Sequence, residues 1–148
     1  MKFSARSEYA LRAMIDLANN DHREVIGVKE IAARQNVPER FLEQQMTTLR
    51  KAGLVNSQRG AAGGVSLART SDKITIAEII EALEGHLTPV TCVVADAPDC
   101  AKSAHCAVRD LLCKVDLAVK EVLRKTTLAN LASNQSRYDQ SKHPMYYI

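Results

Sequence analysis

Residues 38–67 read PERFLEQQMTTLRKAGLVNSQRGAAGGVSL, and the fold is decided by how this run is read. Pro38 stands where a helix begins, because the N–H it lacks has no partner in a first turn anyway. Phe41, Leu42, Gln45, Met46 and Leu49 then recur at helical spacing through Arg50 and mark one inward face. Gly53 suits the end of that helix. Leu54–Gln58 and Val65–Leu67 read as two short strands. Between them, Arg59-Gly60-Ala61-Ala62-Gly63-Gly64 sets three glycines within five residues, which is enough to turn a hairpin.

Upstream, Tyr9, Ala10, Ala13, Met14, Leu17 and Ala18 share one face of a first helix over about Ser4 to Asn19, broken by Asn19-Asn20-Asp21-His22. A short second helix runs from about Val28 to Gln35 with Val28, Ile31 and Ala32 inward, and Asn36-Val37 turns the chain into Pro38. Helix, helix, turn, helix and glycine-rich hairpin is the order of a winged helix-turn-helix.

Downstream, Thr75-Ile76-Ala77-Glu78 is a capping box that opens a fourth helix ending at Gly85. Residues 86–105 hold Pro89 and Pro98, lack periodicity and read as a loop. A long helix follows from about Cys106 to Leu123, with Val108, Leu111, Leu112, Val115, Val119, Val122 and Leu123 as a broad apolar stripe. Thr126 or Thr127 could cap a last short helix through Leu131, and the residues from Ser133 onward read as a polar tail. The expected fold class is mainly α: a winged helix-turn-helix with a small β-hairpin wing, plus a long C-terminal dimerisation helix. The expected division is 1–85 for the DNA-binding domain, 86–105 for the cysteine-bearing loop, 106–132 for the dimerisation and final short helices, and 133–148 for the tail.

The 148 residues hold no Trp and 4% aromatics, so Leu, Ile, Val and Ala must build the core, which suits helix on helix. The first residues have no apolar signal-like run, and no segment approaches a membrane span, so a cytoplasmic protein with no membrane partner is expected. Net charge is +3 but uneven. Residues 1–70 carry 11 Lys and Arg against 7 Asp and Glu, whereas residues 71–148 carry 9 against 10. A basic first half fits contact with a polyanion, although solvated surfaces often look the same.

A helix of this kind fits the major groove and offers side chains to base edges, while an Arg beside a hairpin tip can enter the minor groove. Glu39, Arg40, Glu43 and Gln44 are the outward residues near the start of the reading helix. Arg40 could pair with guanine or phosphate, and Glu43 could accept from a cytosine amino group or hold Arg40. Arg59 and Gly60 belong to the wing, and Arg50 and Lys51 are placed for phosphate. The plainer reading is solvated charge on a small helical interaction module with no DNA target.

Cys92, Cys100 and Cys106 fall within fifteen residues, spaced Cys92-x7-Cys100-x5-Cys106. That spacing matches neither the C-x2-C pairs of common zinc sites nor the runs of ferredoxins. A loop with two prolines can still fold three thiolates onto one centre, and Cys106 at a helix start would gain from the positive helix N-terminus. Three thiolates leave one metal position for another ligand. His86 and His105 flank the group, and Cys113 inside the apolar stripe reads as a small buried hydrophobe. No nucleophile–base pair, phosphate loop or catalytic metal pattern is present in the sequence, so no enzyme is expected.

These pieces together resemble the Rrf-two family of bacterial winged-helix transcriptional regulators, in its three-cysteine iron–sulfur type. The likeness runs to about Leu131. It rests on Ser7-Glu8-Tyr9-Ala10-Leu11-Arg12-Ala13-Met14, Phe41-Leu42-Glu43-Gln44, Leu49-Arg50-Lys51-Ala52-Gly53-Leu54-Val55, the Arg59-Gly60 and Gly63-Gly64 wing, the three-cysteine loop with Arg109-Asp110-Leu111, and Thr126-Thr127-Leu128. The resemblance implies a homodimer on a palindromic double-stranded operator. It also implies an iron–sulfur cluster, 2Fe–2S or 4Fe–4S, on Cys92, Cys100 and Cys106 that controls DNA affinity. Two departures matter. Ala61-Ala62 replaces the Pro or Gly of many relatives at the wing tip. Arg109 stands where IscR-like members place a histidine ligand. NsrR-like members complete the cluster with an acidic residue from the partner's first helix, and Glu8 occupies the matching position as candidate fourth ligand. A thiol–disulfide or zinc switch at the same cysteines is the competing reading.

Overall fold

The computed structural model describes residues 3–21, 25–85 and 106–141. In chain order they form α1 (Ala5–Asn19), α2 (Val28–Gln35), α3 (Glu39–Lys51), β1 (Val55–Gln58), β2 (Gly64–Leu67), a single 3-10 turn at Ser71–Lys73, α4 (Ile76–Glu84), α5 (Ala107–Lys125) and α6 (Leu128–Ser141). The fold is mainly helical with one hairpin, in winged helix-turn-helix order.

The boundaries follow local chemistry. Ser4 precedes α1 as its cap, accepting from the Ser7 amide, rather than standing inside the helix. Pro38 likewise sits one position before α3. Gly53, at φ 73°, takes the left-handed conformation after the last turn of α3 that a side chain would resist. The capping box is present at α4: Thr75 Oγ1 accepts from the Glu78 amide while the Glu78 carboxylate accepts from the Thr75 amide.

The core is aliphatic. Met14, Ile26, Ile31, Leu42, Leu49, Leu54, Ile74, Ile79, Ile80 and Leu128 are almost wholly buried in one cluster that draws on α1 to α4, the hairpin and α6. Each such side chain contributes about 1.5–3 kcal/mol on leaving water. β1 and β2 pair antiparallel, Val55 with Leu67 through Gln58 with Gly64.

Two isolated bridges tie the elements together. Ile26 and Val65 exchange backbone bonds of 2.9 Å in each direction, fastening the wing to the segment that enters α2. Thr75 lies opposite Thr127, with Ile76 N donating to Thr126 O and Leu128 N to Ile74 O, so the α5–α6 junction is pinned beside α4. A third tie is electrostatic: Arg34 of α2 reaches the buried Asp16 of α1 with Nε to Oδ1 at 3.0 Å and Nη2 to Oδ2 at 2.5 Å.

Three expectations need correction. The polar stretch from Ser133 is not a tail throughout, because α6 continues to Ser141 along α1, where Ser136 Oγ donates to Asn19 Oδ1 at 3.0 Å. The long helix runs two residues past Leu123, to Lys125. Cys113 is half-buried rather than a core residue. The expected loop at 86–105 lies outside the described residues.

Candidate nucleic-acid interface and thiol site

A groove opens between the start of α2, the outer face of α3 and the hairpin. On α3 it is lined by Glu39, Glu43, Met46, Thr47 and Arg50, which recur at turn spacing along one face. Gly27 and Lys29 close one side; Ser57, Gln58 and Gly60 close the other. The hairpin can come this near because Gly64 lacks a side chain: a Cβ there would stand 2.4 Å from the Ile26 carbonyl oxygen.

Of the eight residues expected to read DNA, Glu39, Glu43, Arg50 and Gly60 therefore share the groove. Arg40, Gln44 and Lys51 are exposed on α3 but outside that lining, and Arg59 is exposed at the hairpin tip. Tyr9 of α1 braces the start of α3, meeting Phe41 edge to face with ring centroids 5.7 Å apart. Thr47 and Thr48 turn their hydroxyls back onto the carbonyls of Glu43 and Gln44, at 2.9 and 3.1 Å.

Sequence reading missed Lys29, Thr47, Ser57 and Gln58. The signal for Thr47 was available, since it lies four residues after Glu43 and eight after Glu39 on one helical face. Lys29, Ser57 and Gln58 become groove residues only through the Ile26–Val65 bridge, which no local pattern announces. The groove has mixed charge. Lys29 and Arg50 can meet phosphates, while the carboxylates of Glu39 and Glu43 repel them and can accept only from donors such as a cytosine amino group.

The thiol half is seen at one of its three cysteines. Cys106 is the residue before α5, half-buried, with extended backbone and no side-chain bond to the helix amides. Cys92 and Cys100, with His86 and His105, lie outside the described residues. Among the described residues no three His, Cys, Asp or Glu side chains gather as a metal-holding group. Glu8 is exposed on the first turn of α1 and bonds Arg12 Nη2 at 2.5 Å. Arg109 follows Cys106 by three positions and is half-buried.

α5 carries its apolar stripe into solvent in the single chain. Val108, Leu111 and Val122 are 64%, 60% and 64% exposed, and Val115 and Leu117 are exposed as well. Leu112, Val119 and Leu123 on the neighbouring face are half-buried, and Asp116, held by Lys120 Nζ at 2.6 Å, is the buried residue of the helix. No helix among the described residues is long and apolar enough to cross a membrane.

A family model described as an iron-dependent transcriptional regulator, Rrf2, matches residues 3–134. The HTH-type transcriptional regulator CymR of Bacillus subtilis is 42% identical over 148 residues, covering all of both chains. Its solved structure, described as the global cysteine regulator of that organism, superposes with a TM-score of 0.75 over 90% of this chain and 98% of that one. The structure of T. potens IscR gives a TM-score of 0.76 at 35% identity, covering 99% of this chain and 97% of the other. The oxidized form of Staphylococcus aureus CymR gives 0.71 at 36% identity, covering 89% and 96%.

Proposed function

The chain belongs to the Rrf2 family of DNA-binding transcriptional regulators, and from that premise we propose that it binds a palindromic operator as a homodimer, with an affinity set by an iron–sulfur cluster on Cys92, Cys100 and Cys106. In this reading residues 1–85 form the reading head, 86–105 the sensing loop and 106–132 the dimer arm, acting in the cytoplasm. The single observation that carries it is the place of Cys106. It stands at the root of the helix whose apolar stripe is exposed in the single chain, so a group bound to its sulfur bears directly on the arm that joins two heads.

Of the four proposed ligands, Cys106 and Glu8 are among the described residues, and the chemistry of Cys106 supports the reading. Cys106 offers a half-buried thiol with no competing cap bond, and thiolate is the donor such clusters take. The cluster, when bound, supplies a centre that iron shortage, nitric oxide or oxidants can dismantle. Glu8 is the proposed fourth ligand to the partner's three thiolates. Its ion pair with Arg12 is exposed on both sides, and such pairs contribute about 0–1 kcal/mol, so exchanging it for iron costs little. α3 and the wing then do the reading: Arg40, Glu43 and Gln44 at base edges, Lys29, Arg50 and Lys51 at phosphates, Arg59 in the minor groove.

The second reading keeps the DNA head but makes the same cysteines a thiol or zinc switch. The full-length 42% identity to a regulator described by cysteine, and the likeness to an oxidized CymR structure, favour it. Anaerobic purification followed by iron and sulfide analysis decides between them: a brown protein with bound iron and sulfide supports the cluster, and a colourless one supports the switch.

A further inference from the structure

Beyond the DNA groove and the thiol site, the described residues hold one other large polar cleft, of about 820 Å³, between α1, α2 and α6. That volume falls within the range of small-ligand pockets. The cleft exists because α6 runs on past Leu131 and lays its last turns beside the ends of α1 and α2. We propose that it is a binding site for a small zwitterion carrying an ammonium group and a carboxylate, such as a free amino acid.

The ammonium preference comes from the ends of three helices. The cleft is lined by the last turns of α1, α2 and α6, and helix C-termini carry partial negative charge. Neither α1 nor α6 has a basic residue in its last turn to offset it. The last turn of α2 does have Arg34, but that guanidinium is engaged by Asp16 and Glu30. Asp139 adds a further carboxylate whose Oδ1 accepts from Gln135 Nε2 at 2.9 Å, leaving Oδ2 for a cationic donor. The carboxylate preference comes from Arg12. It lines the cleft, and its bond to Glu8 uses one of the five N–H donors of a guanidinium.

The cleft also touches the DNA head. The Asp16–Arg34 pair lines it and fixes α2 against α1, and α2 begins two residues after the Ile26 that holds the wing. A ligand that binds more tightly to one setting of that pair shifts operator affinity, and operator shifts ligand affinity by the same factor. This second step rests on the DNA-binding reading above; ligand binding itself does not.

The test is calorimetric titration of the full-length protein with the common free amino acids, one at a time. Putrescine serves as an ammonium without a carboxylate, and acetate as a carboxylate without an ammonium. At least one amino acid should bind saturably, with affinity falling about tenfold or more in Asp139→Asn and in Arg12→Gln, each the loss of one charge-assisted bond. Both positions are exposed, and the melting temperature of each ligand-free variant should match the parent. At saturation the bound amino acid should change operator affinity about fivefold or more. No saturable amino acid, or binding indifferent to Asp139→Asn, overturns the site. Putrescine or acetate binding as tightly as any amino acid overturns the zwitterion assignment, and unchanged operator affinity overturns the coupling. The titration needs neither DNA nor a cluster, so its failure is separate from failure of the regulatory reading.

Discussion

Ile26 and Val65 face each other as a two-way backbone pair, each amide 2.9 Å from the other's carbonyl oxygen, 39 positions apart in the chain. The pair makes the wing and the entry to α2 one rigid piece, so the groove beside α3 has a set width. Gly64 permits it, since a Cβ would fall 2.4 Å from Ile26 O, a backbone atom that cannot step aside. Gly64→Ala should therefore cost about 1–3 kcal/mol, as overpacking does. It should also weaken operator binding by more than that loss of folded protein explains. Urea unfolding and fluorescence anisotropy on one preparation check both.

Base reading and phosphate reading should separate by residue. Arg40→Ala should cost roughly 1–3 kcal/mol and relax preference at one base if the side chain forks onto guanine. Arg59→Ala should weaken binding most on operators with a narrow A·T-rich minor groove. Lys29→Ala should weaken all sequences alike and lower the salt slope by about one charge. Anisotropy across a panel of operators and salt concentrations measures each. Unchanged affinity in all three variants removes the reading surface from α3 and the wing.

Much of this was legible in the sequence because the signals are local. The Thr75–Glu78 capping box, the helical spacing of Leu42, Met46 and Leu49, and the glycines of the wing each act within a few residues. What escaped depends on partners far along the chain. The last turns of α6 are polar and show no strong inward face, so nothing within Ser133–Ser141 announces a helix; it is Leu128 and Ala132 that are buried, with Ser136 reaching Asn19. Lys29 and Gln58 join the groove only through the Ile26–Val65 pair. At the thiol site the spacing of Cys92, Cys100 and Cys106 names donors but not what they hold.

The exposed stripe of α5 should be a dimer face. Leu111→Glu and Val115→Glu place charge on residues that are solvent-exposed in the single chain, so the fold should survive while association fails. Sedimentation should show a wild-type dimer at micromolar concentration and monomeric variants, with binding to a two-half-site operator greatly weakened. A monomeric wild type would contradict the assignment.

Acid should loosen the joint between α1 and α4. Glu84 accepts from Ser4 Oγ, from Ser7 Oγ at 2.6 Å and from Ser4 N at 3.2 Å; the Ser4 hydroxyl first, then that of Ser7, holds its carboxyl below the ordinary value of 4.5. A depressed folded value means that this stabilisation is complete above pH 4.5, declines below it, and is gone once pH has fallen through the folded value. Glu84→Gln should flatten the fall in melting temperature over that acidic window and leave the curve above it parallel to the wild type. Thermal scans across pH provide the comparison.

The most direct measurement is operator affinity by anisotropy on protein purified without air, taken before and after the visible absorption of the cluster is bleached by nitric oxide or chelator. We expect a brown starting protein whose affinity changes about fivefold or more on bleaching. The change should be absent in Cys92→Ala, Cys100→Ala and Cys106→Ala, and retained in Cys113→Ala. A colourless starting protein, or one whose affinity for the operator is the same with and without the chromophore, would contradict control by an iron–sulfur cluster.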